Sequence, residues 1–389
     1  MKILTTTDQL AAYCEMAAGH AYVTIDTEFL RERTYYSKLC LIQMAVVGDE
    51  GENAVLVDVL SGKMDLAPLY KLFADESVVK VFHAARQDLE IFFVDAEVFP
   101  KPFFDTQIAA MVCGFGEQVG YETLVRKIAR KQVDKSSRFT DWSRRPLSEK
   151  QKLYALADVT HLREVYEFLA AEIEKTGRRK WVEEEMETLT RPELYQINPQ
   201  EAWRRVKTRS NSGRFLAIVR ELAQFRETYA QARNVPRARV YKDDALLELA
   251  AAKPKSLSDL GGLRLLLREA RRGDIAEAIF AAVKAGLDCP ADELPTPTPQ
   301  REKAAGNEGL ADLLRVLLKA KAEQAGVASK LIATVSELDE IAAGMTDGQA
   351  LRGWRLEVFG KDALDLCAGK IALSANGRSV RLVKVAGAA

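Results

Sequence analysis

Four acidic residues of this chain have the types and positions that metal-assisted phosphoryl chemistry requires. They are Asp26, Glu28, Asp88 and Asp158. Hard divalent cations such as Mg²⁺ prefer oxygen ligands, and two such ions roughly 4 Å apart stabilise both the attacking and the leaving oxygen of an in-line phosphoryl displacement. The set therefore predicts a two-metal nuclease site that needs no histidine or cysteine ligands.

Predicted strands and helices place these acids. Residues 22–25 are apolar and rich in β-branched side chains, which predicts a buried strand that ends in Asp26 and Glu28. Residues two apart on a strand point to the same face, so the two carboxylates are expected side by side. After a second apolar run, helical spacing in residues 84–93 places Asp88 on the first turns of a helix.

Tyr154 and Asp158 are predicted to share one face of a helix. Ser148 is a suitable N-cap for that helix, and the two residues are four positions apart. Because a phenol has a pKa near 10, Tyr154 stays protonated at neutral pH, and we expect it to position the attacking water. A zinc cluster is not indicated, since the three histidines are widely dispersed: His20, His83 and His161.

Spacing alone does not show that the four acids meet in the fold, because the chain has 56 Asp and Glu residues and such side chains are mostly solvated. The segments around these acids, however, resemble the three exonuclease motifs of the DEDD superfamily, in its tyrosine-containing branch. The similarity to the ribonuclease D family extends further, to residues 26–36 (DTEFLRERTYY), 39–43 (LCLIQ), 105–107 (DTQ) and 135–148 (KSSRFTDWSRRPLS). It implies a ribonuclease H-like α/β exonuclease domain.

The resemblance also implies roles for the site residues. In that family the matching acids bind two divalent metal ions, Mg²⁺ or Mn²⁺, one of which activates water while the other stabilises the departing 3′ oxygen. The matching positions are Asp26, Glu28, Asp88 and Asp158, with Tyr154 as the residue that orients the water. At His161 the family is expected to carry tyrosine, and we expect this histidine to pack or to face solvent.

The length of 389 residues predicts two or three domains of roughly 150 residues. Residues 1–195 alternate strand-like and helical runs, the pattern of an α/β domain. Beyond about residue 200 helical patterns prevail, and residues 215–284 resemble the HRDC module of helicases and ribonuclease D. We therefore expect an all-α HRDC domain at 205–289.

A third unit is expected after a Pro-rich linker at 290–305. Prolines at 295, 297 and 299 cannot continue a helix. Residues 306–389 resemble the second HRDC-like domain of bacterial ribonuclease D, so the fold class is an α/β exonuclease domain followed by two all-α HRDC-like domains.

Charge indicates a partner where it is localised. The whole chain has a formal net charge of zero, which argues against indiscriminate polyanion binding, but residues 201–290 carry 18 Lys and Arg against 11 Asp and Glu. Arginines there are candidates for RNA phosphate contacts, although a solvated basic face explains any one of them equally well. The candidate RNA-binding residues are Phe29, for base stacking, with His83, Arg204, Arg205, Arg209, Arg237 and Arg239.

The remaining sequence features predict a monomeric, cytoplasmic protein without a membrane segment. The five cysteines are odd in number, widely spaced and without a C-x-x-C pair, so no disulfide framework is implied. The N-terminal residues lack a long apolar stretch, and no run approaches the 18 or more apolar residues of a membrane span.

The leading functional prediction is a metal-dependent 3′–5′ exoribonuclease that releases nucleoside 5′-monophosphates and trims transfer RNA precursors. The acids and Tyr154 indicate the chemistry, whereas polarity and substrate are implied by the resemblance. One alternative is a DNA-directed exonuclease of the same superfamily, since helicases that act on DNA also carry HRDC modules. A second is a catalytically silent RNA-binding scaffold, against which the presence of all four acids and the tyrosine counts.

Overall fold

The structure, a computed structural model, describes residues 2–48, 53–62, 64–134, 136–138, 140–210, 212–296 and 307–385. Most of the predicted Pro-rich linker, residues 297–306, lies outside the described residues, as do Lys135 and Phe139 of the 135–148 stretch.

A six-stranded mixed sheet forms the centre of the N-terminal domain. Its strands are β1 (Lys2–Leu4), β2 (Tyr22–Leu30), β3 (Lys38–Ala45), β4 (Ala54–Val57), β5 (Val79–Phe82) and β6 (Phe103–Asp105). They lie in the order β1-β4-β3-β2-β5-β6, with β3 antiparallel to both of its neighbours and the other pairs parallel. The strand predicted at 22–25 is confirmed but continues to Leu30, because Asp26 to Leu30 keep pairing with β3.

Helices cover both faces of this sheet. They are α1 (Thr7–Ala17), α2 (Ala67–Phe73), α3 (Arg86–Ala96), α4 (Thr106–Val112), α5 (Tyr121–Leu124), α6 (Glu149–Thr176) and α7 (Arg179–Leu189), with a π-helical turn at Val125–Ala129. The predicted N-cap is confirmed: Ser148 begins α6 in a capping box with Gln151. The Thr24 hydroxyl in β2 donates to the Val159 carbonyl, 2.8 Å away, so α6 lies directly on the face of β2 that carries Asp26.

The HRDC region has a core of its own. Its helices are α8 (Gly213–Ala232), α9 (Arg237–Val240), α10 (Asp243–Ala252) and α11 (Gly273–Asp288), joined by 3₁₀ turns at Leu257–Gly262 and Glu269–Arg271 and flanked by others at Pro192–Leu194, Pro199–Arg205 and Ala291–Glu293. Tyr241 is fully buried in this core, where its hydroxyl donates to the Leu222 carbonyl at 2.6 Å. The region contacts the N-terminal domain through Asn234, whose Oδ1 accepts the backbone N–H groups of Tyr35 (3.0 Å) and Tyr36 (2.9 Å).

The last unit packs against the N-terminal domain. Its elements are α12 (Glu308–Ala325), α13 (Ser329–Ile332), α14 (Val335–Ala342), α15 (Gly353–Arg355) and α16 (Lys361–Cys367), a 3₁₀ turn at Gln349–Leu351, a π turn at Leu356–Gly360, and the hairpin β7 (Ile371–Asn376) and β8 (Ser379–Lys384). Trp354 stacks on Trp181 of α7 with ring centroids 4.6 Å apart. Arg355 pairs with Glu185 at 2.5 Å. The fold class is confirmed, with a terminal hairpin added to the helices. No helix within the described residues is long and apolar enough to cross a membrane.

Candidate active site

Three of the four predicted acids converge between β2 and α6. One carboxylate oxygen from each of Asp26, Glu28 and Asp158 lies within 4.8 Å of the other two. Asp26 and Glu28 are two apart on β2, and the pairing with β3 shifts just beyond Glu28, where Cys40 is the extra residue on β3. The alternation of the strand and the rotation of the helix thus place three carboxylates at one point.

Asp88 lies against the opposite face of β2, and it is not among the described residues that line the cavity over the other three acids. It lies in the first turn of α3, as predicted, and is buried. Its carboxylate accepts a hydrogen bond from the Thr27 hydroxyl. Burial raises the pKa of Asp88 well above its usual range, and the negative charge of Asp26 raises it further. Asp88 and Asp26 therefore influence each other's protonation, although Asp88 is not among the three acids whose carboxylates converge.

Burial and mutual repulsion hold protons on these carboxyls. The pKa of Asp26 is raised by burial and then by Asp158. Burial and then the charges of the neighbouring acids raise the pKa of Glu28 to about 10, against a smaller lowering by the Arg138 guanidinium. Burial raises the pKa of Asp158 to about 7, although the hydrogen bond from Tyr154 and the charge of Arg138 lower it in part. A cation bound here would replace protons as the neutralising charge. An all-oxygen donor set suits Mg²⁺ or Mn²⁺ better than zinc or copper, so the residues fit a divalent metal site.

Tyr154 faces this cluster with its hydroxyl protonated. Burial raises its pKa, as do the charges of Asp158 and Glu28, and the hydroxyl is hydrogen-bonded to Asp158. The Trp142 ring lies 6.1 Å from the Tyr154 ring and is almost fully buried.

Arg145 fixes the segment that carries Trp142. Its Nε and Nη2 each donate to Asp58 at 2.7 Å, and further bonds reach the carbonyls of Trp142 and Cys40, each at 2.8 Å. The segment before α6 is thereby fastened to the sheet, which sets the position of Trp142 against Tyr154.

A cavity of about 750 Å³ opens over the acids, within the size range of ligand pockets. Asp26, Glu28, Asp158 and Tyr154 line it, together with other side chains that include Phe29, His83, Gln107, Tyr121, Arg138 and Trp142. Phe29 and His83, both predicted as RNA-binding residues, thus line the same cavity as the acids. His161 is not among the described residues that line this cavity.

The predicted RNA-binding arginines lie away from the cavity. Arg204, Arg205, Arg209 and Arg239 are exposed. Arg204 pairs with Glu201 and lies over the Trp203 ring. Arg237 differs from them, because it is half-buried in an ion pair with Glu227 and also donates to the Tyr35 hydroxyl.

Sequence analysis missed Gln43 and Tyr121. Gln43 on β3 lies directly opposite Asp26 and is fully buried, and within the described part of the chain its amide atoms have no hydrogen-bond partner. Tyr121 donates to the Ala157 carbonyl at 2.8 Å, and its ring lies 5.5 Å from that of His83. The apolar run that ends before Gln43 indicates a strand, but only the register of β3 on β2 shows which residue lies opposite Asp26.

Comparisons with known proteins agree with this geometry. A 3′–5′ exonuclease family model matches residues 1–174 and an HRDC domain model matches residues 215–283. Ribonuclease D of Jannaschia sp. strain CCS1 is 62% identical over 382 residues, covering 98% of this chain and 99% of that protein. Ribonuclease D of Nitrobacter hamburgensis is 47% identical over 384 residues, covering 98% of this chain and 99% of that protein.

A solved structure is similar over nearly the whole chain. The crystal structure of Escherichia coli RNase D, described as an exoribonuclease involved in structured RNA processing, has a TM-score of 0.82 and 30% identity, and the match covers 94% of this chain and 98% of that one. The predicted family and enzyme class are thereby confirmed. The chain belongs to the ribonuclease D family of 3′–5′ exoribonucleases.

Proposed function

We propose that this protein hydrolyses the terminal phosphodiester of RNA 3′ ends with two divalent metal ions, releases nucleoside 5′-monophosphates, and matures transfer RNA precursors. The observation that carries the proposal is the convergence of Asp26, Glu28 and Asp158 within 4.8 Å, in a chain with ribonuclease D relatives.

The acids divide into two sets of metal ligands in this proposal. Asp26, Glu28 and Asp158 would hold one ion, and Asp26 with Asp88 a second. When bound, such ions supply Lewis-acid activation of water and stabilisation of the departing oxygen. Mg²⁺ and Mn²⁺ both suit the oxygen donors.

Other side chains position the reactants. The Tyr154 phenol keeps its proton, so it acts as a donor that orients the attacking water and not as its base. Arg138 brings positive charge to the acids' side of the cavity, where the substrate phosphate carries negative charge. Phe29 lines the same cavity and offers an aromatic face to the terminal base.

Exposed arginines of the HRDC region are proposed to hold the body of the RNA. Arg205, Arg209 and Arg239 are free to reach phosphates from the surface, and such contacts weaken with salt. Arg237 is left out of this set, because its guanidinium is committed to Glu227.

A time course on 3′-extended transfer RNA and on a matched DNA strand tests the proposal, with Mg²⁺, Mn²⁺ or EDTA. Stepwise, metal-dependent release of 5′-monophosphates from RNA is expected. Asp26→Asn should abolish turnover, whereas the matched control Asp292→Asn, at an exposed position, should not. Preference for DNA, products with 3′-phosphates, or full activity of Asp26→Asn would each contradict the proposal.

Location and oligomeric state remain predictions. The five cysteines are free in the structure, which is consistent with a reducing compartment such as the cytoplasm. Light scattering tests the predicted monomer.

A further inference from the structure

His83 lies in the same cavity as the catalytic acids, at the end of the strand next to β2. β5 runs parallel to β2, with Val81 opposite Thr24. Asp26 continues β2 two residues beyond this pair, and His83 directly follows Phe82, the last residue of β5. The His83 side chain is partly exposed and lines the catalytic cavity. Its ring thus lies in the cavity in which the proposed function places the 3′-terminal nucleotide.

Neighbouring groups fix which ring nitrogen of His83 carries the proton. Nδ1 lies 3.0 Å from the Thr106 hydroxyl oxygen, which itself lies 3.0 Å from the Phe82 carbonyl oxygen. A carbonyl only accepts, and a hydroxyl has a single proton, so Thr106 donates to Phe82. Nδ1 must then carry hydrogen and donate to Thr106. In the neutral ring, Nε2 is consequently an acceptor.

The surroundings keep this ring neutral. Burial lowers the pKa of His83 below its usual value, an effect that the negative charge of Asp105 opposes in part. The Asp105 carboxylate already accepts the backbone N–H groups of Ala84, Ala85 and Gln107 at 2.7–3.0 Å. The lone pair on Nε2 therefore remains available near neutral pH.

Because Nε2 of His83 is a hydrogen-bond acceptor in the catalytic cavity, its partner on the substrate must be a hydrogen-bond donor. The phosphate is ionised and offers none, and the base lies one sugar further from the reacting bond. The donors nearest the phosphate are the ribose hydroxyls. We infer that Nε2 of His83 accepts a hydrogen bond from a ribose hydroxyl of the 3′-terminal nucleotide, with Thr106 as the positioning residue that sets the tautomer. This inference rests on the proposed function. If the hydroxyl is the 2′ group, His83 helps to distinguish RNA from DNA.

Substrates that differ in one atom test the contact. Oligoribonucleotides that end in a ribo, 2′-deoxy or 3′-deoxy nucleotide are compared by kcat/KM for release of that nucleotide. For the wild type, kcat/KM should fall about tenfold when the contacted hydroxyl is removed, as expected for the loss of one neutral hydrogen bond. For His83→Leu, kcat/KM on the ribo substrate should fall by the same factor, and removal of the contacted hydroxyl should cause no further fall. His83→Gln places an amide near the position of Nε2 and should keep most of the discrimination. The analogue that shows this pattern identifies the 2′ or the 3′ hydroxyl.

A second readout needs neither metal nor turnover. In ¹⁵N-histidine spectra of the metal-free protein, His83 should show a protonated Nδ1 and an unprotonated Nε2, and Thr106→Val should mix the two tautomers. An Nε2-protonated ring in wild type overturns the inference, as does equal loss by His83→Leu on all three substrates. Absence of RNA shortening by wild type would instead refute the proposed function, while the spectra would still report on the tautomer.

Discussion

Replacing Arg237 by leucine is expected to destabilise the HRDC region and to leave the salt dependence of RNA binding unchanged. Arg237 holds Glu227, whose side chain is only 2% exposed, through its Nε at 2.5 Å and its Nη2 at 2.6 Å. The Tyr35 hydroxyl donates to the same carboxylate, and Gln231 completes the group. Arg237 thus supports a contact between the HRDC region and the segment that joins β2, the strand that carries Asp26, to β3.

The size of the effect follows from the burial of the two partners. Removing one partner of a fully buried ion pair costs about 3–5 kcal/mol, because the other charge is left without compensation. The Arg237 side chain is 37% exposed, so water reaches the pair and reduces this cost to about 2–3 kcal/mol. Burial alone raises the pKa of Glu227, but the bonds from Arg237 and Tyr35 outweigh it and leave the pKa below its usual value. This stabilisation is therefore present at neutral pH and is lost as the pH falls through the lowered pKa.

Hydrogen exchange of α8 amides gives the free energy of opening for this region. The matched control is Arg239→Leu, because Arg239 is exposed two residues away. It should change stability by less than about 0.5 kcal/mol while reducing the salt slope of RNA binding by about one phosphate contact. A loss below about 1 kcal/mol for Arg237→Leu, or a reduced salt slope for that variant, would refute the argument.

Three further predictions concern the catalytic domain. In EDTA at pH 8, Asp26→Asn should raise the melting temperature. The raised pKa values mean that the folded state binds more protons on its acids than the unfolded state does, so the folded state loses stability as the pH rises. An unchanged melting temperature would contradict the raised pKa values. Gln43→Leu should stabilise the metal-free protein against urea by about 1–3 kcal/mol, since it removes a buried amide that has no hydrogen-bond partner among the described residues. A loss of stability would show that the amide is hydrogen-bonded. Arg145→Leu should lower the free energy of unfolding by about 3 kcal/mol and should lower kcat, because the segment that places Trp142 against Tyr154 is released. Arg145→Lys should show the same two losses, because lysine cannot bond Asp58 through two nitrogens. Normal stability and kcat in Arg145→Lys would refute this.

Local pattern was sufficient for the parts of the site that lie within one element. The β-branched run before Asp26 and the Ser148 cap before Tyr154 each depend on residues a few positions away, and both β2 and α6 form as predicted. The resemblance supplied the step from four separate acids to one site. The placement of Gln43 opposite Asp26 depends on the register of two strands, which alternation within either strand leaves undetermined.

Arg237 and Arg239 show why charge density is a weak guide to function. In sequence the two are equivalent members of one basic cluster, and both were candidates for RNA contacts. The fold gives Arg237 a buried carboxylate ten residues away and a tyrosine hydroxyl from another domain, whereas Arg239 is left exposed. An arginine that already pairs with a buried carboxylate does not bind phosphate. Leaving that carboxylate buried and unpaired costs more free energy than a phosphate contact at the surface provides. Candidate RNA ligands in this chain are therefore the exposed arginines Arg205, Arg209 and Arg239, together with Arg204, whose partner Glu201 is itself exposed to water.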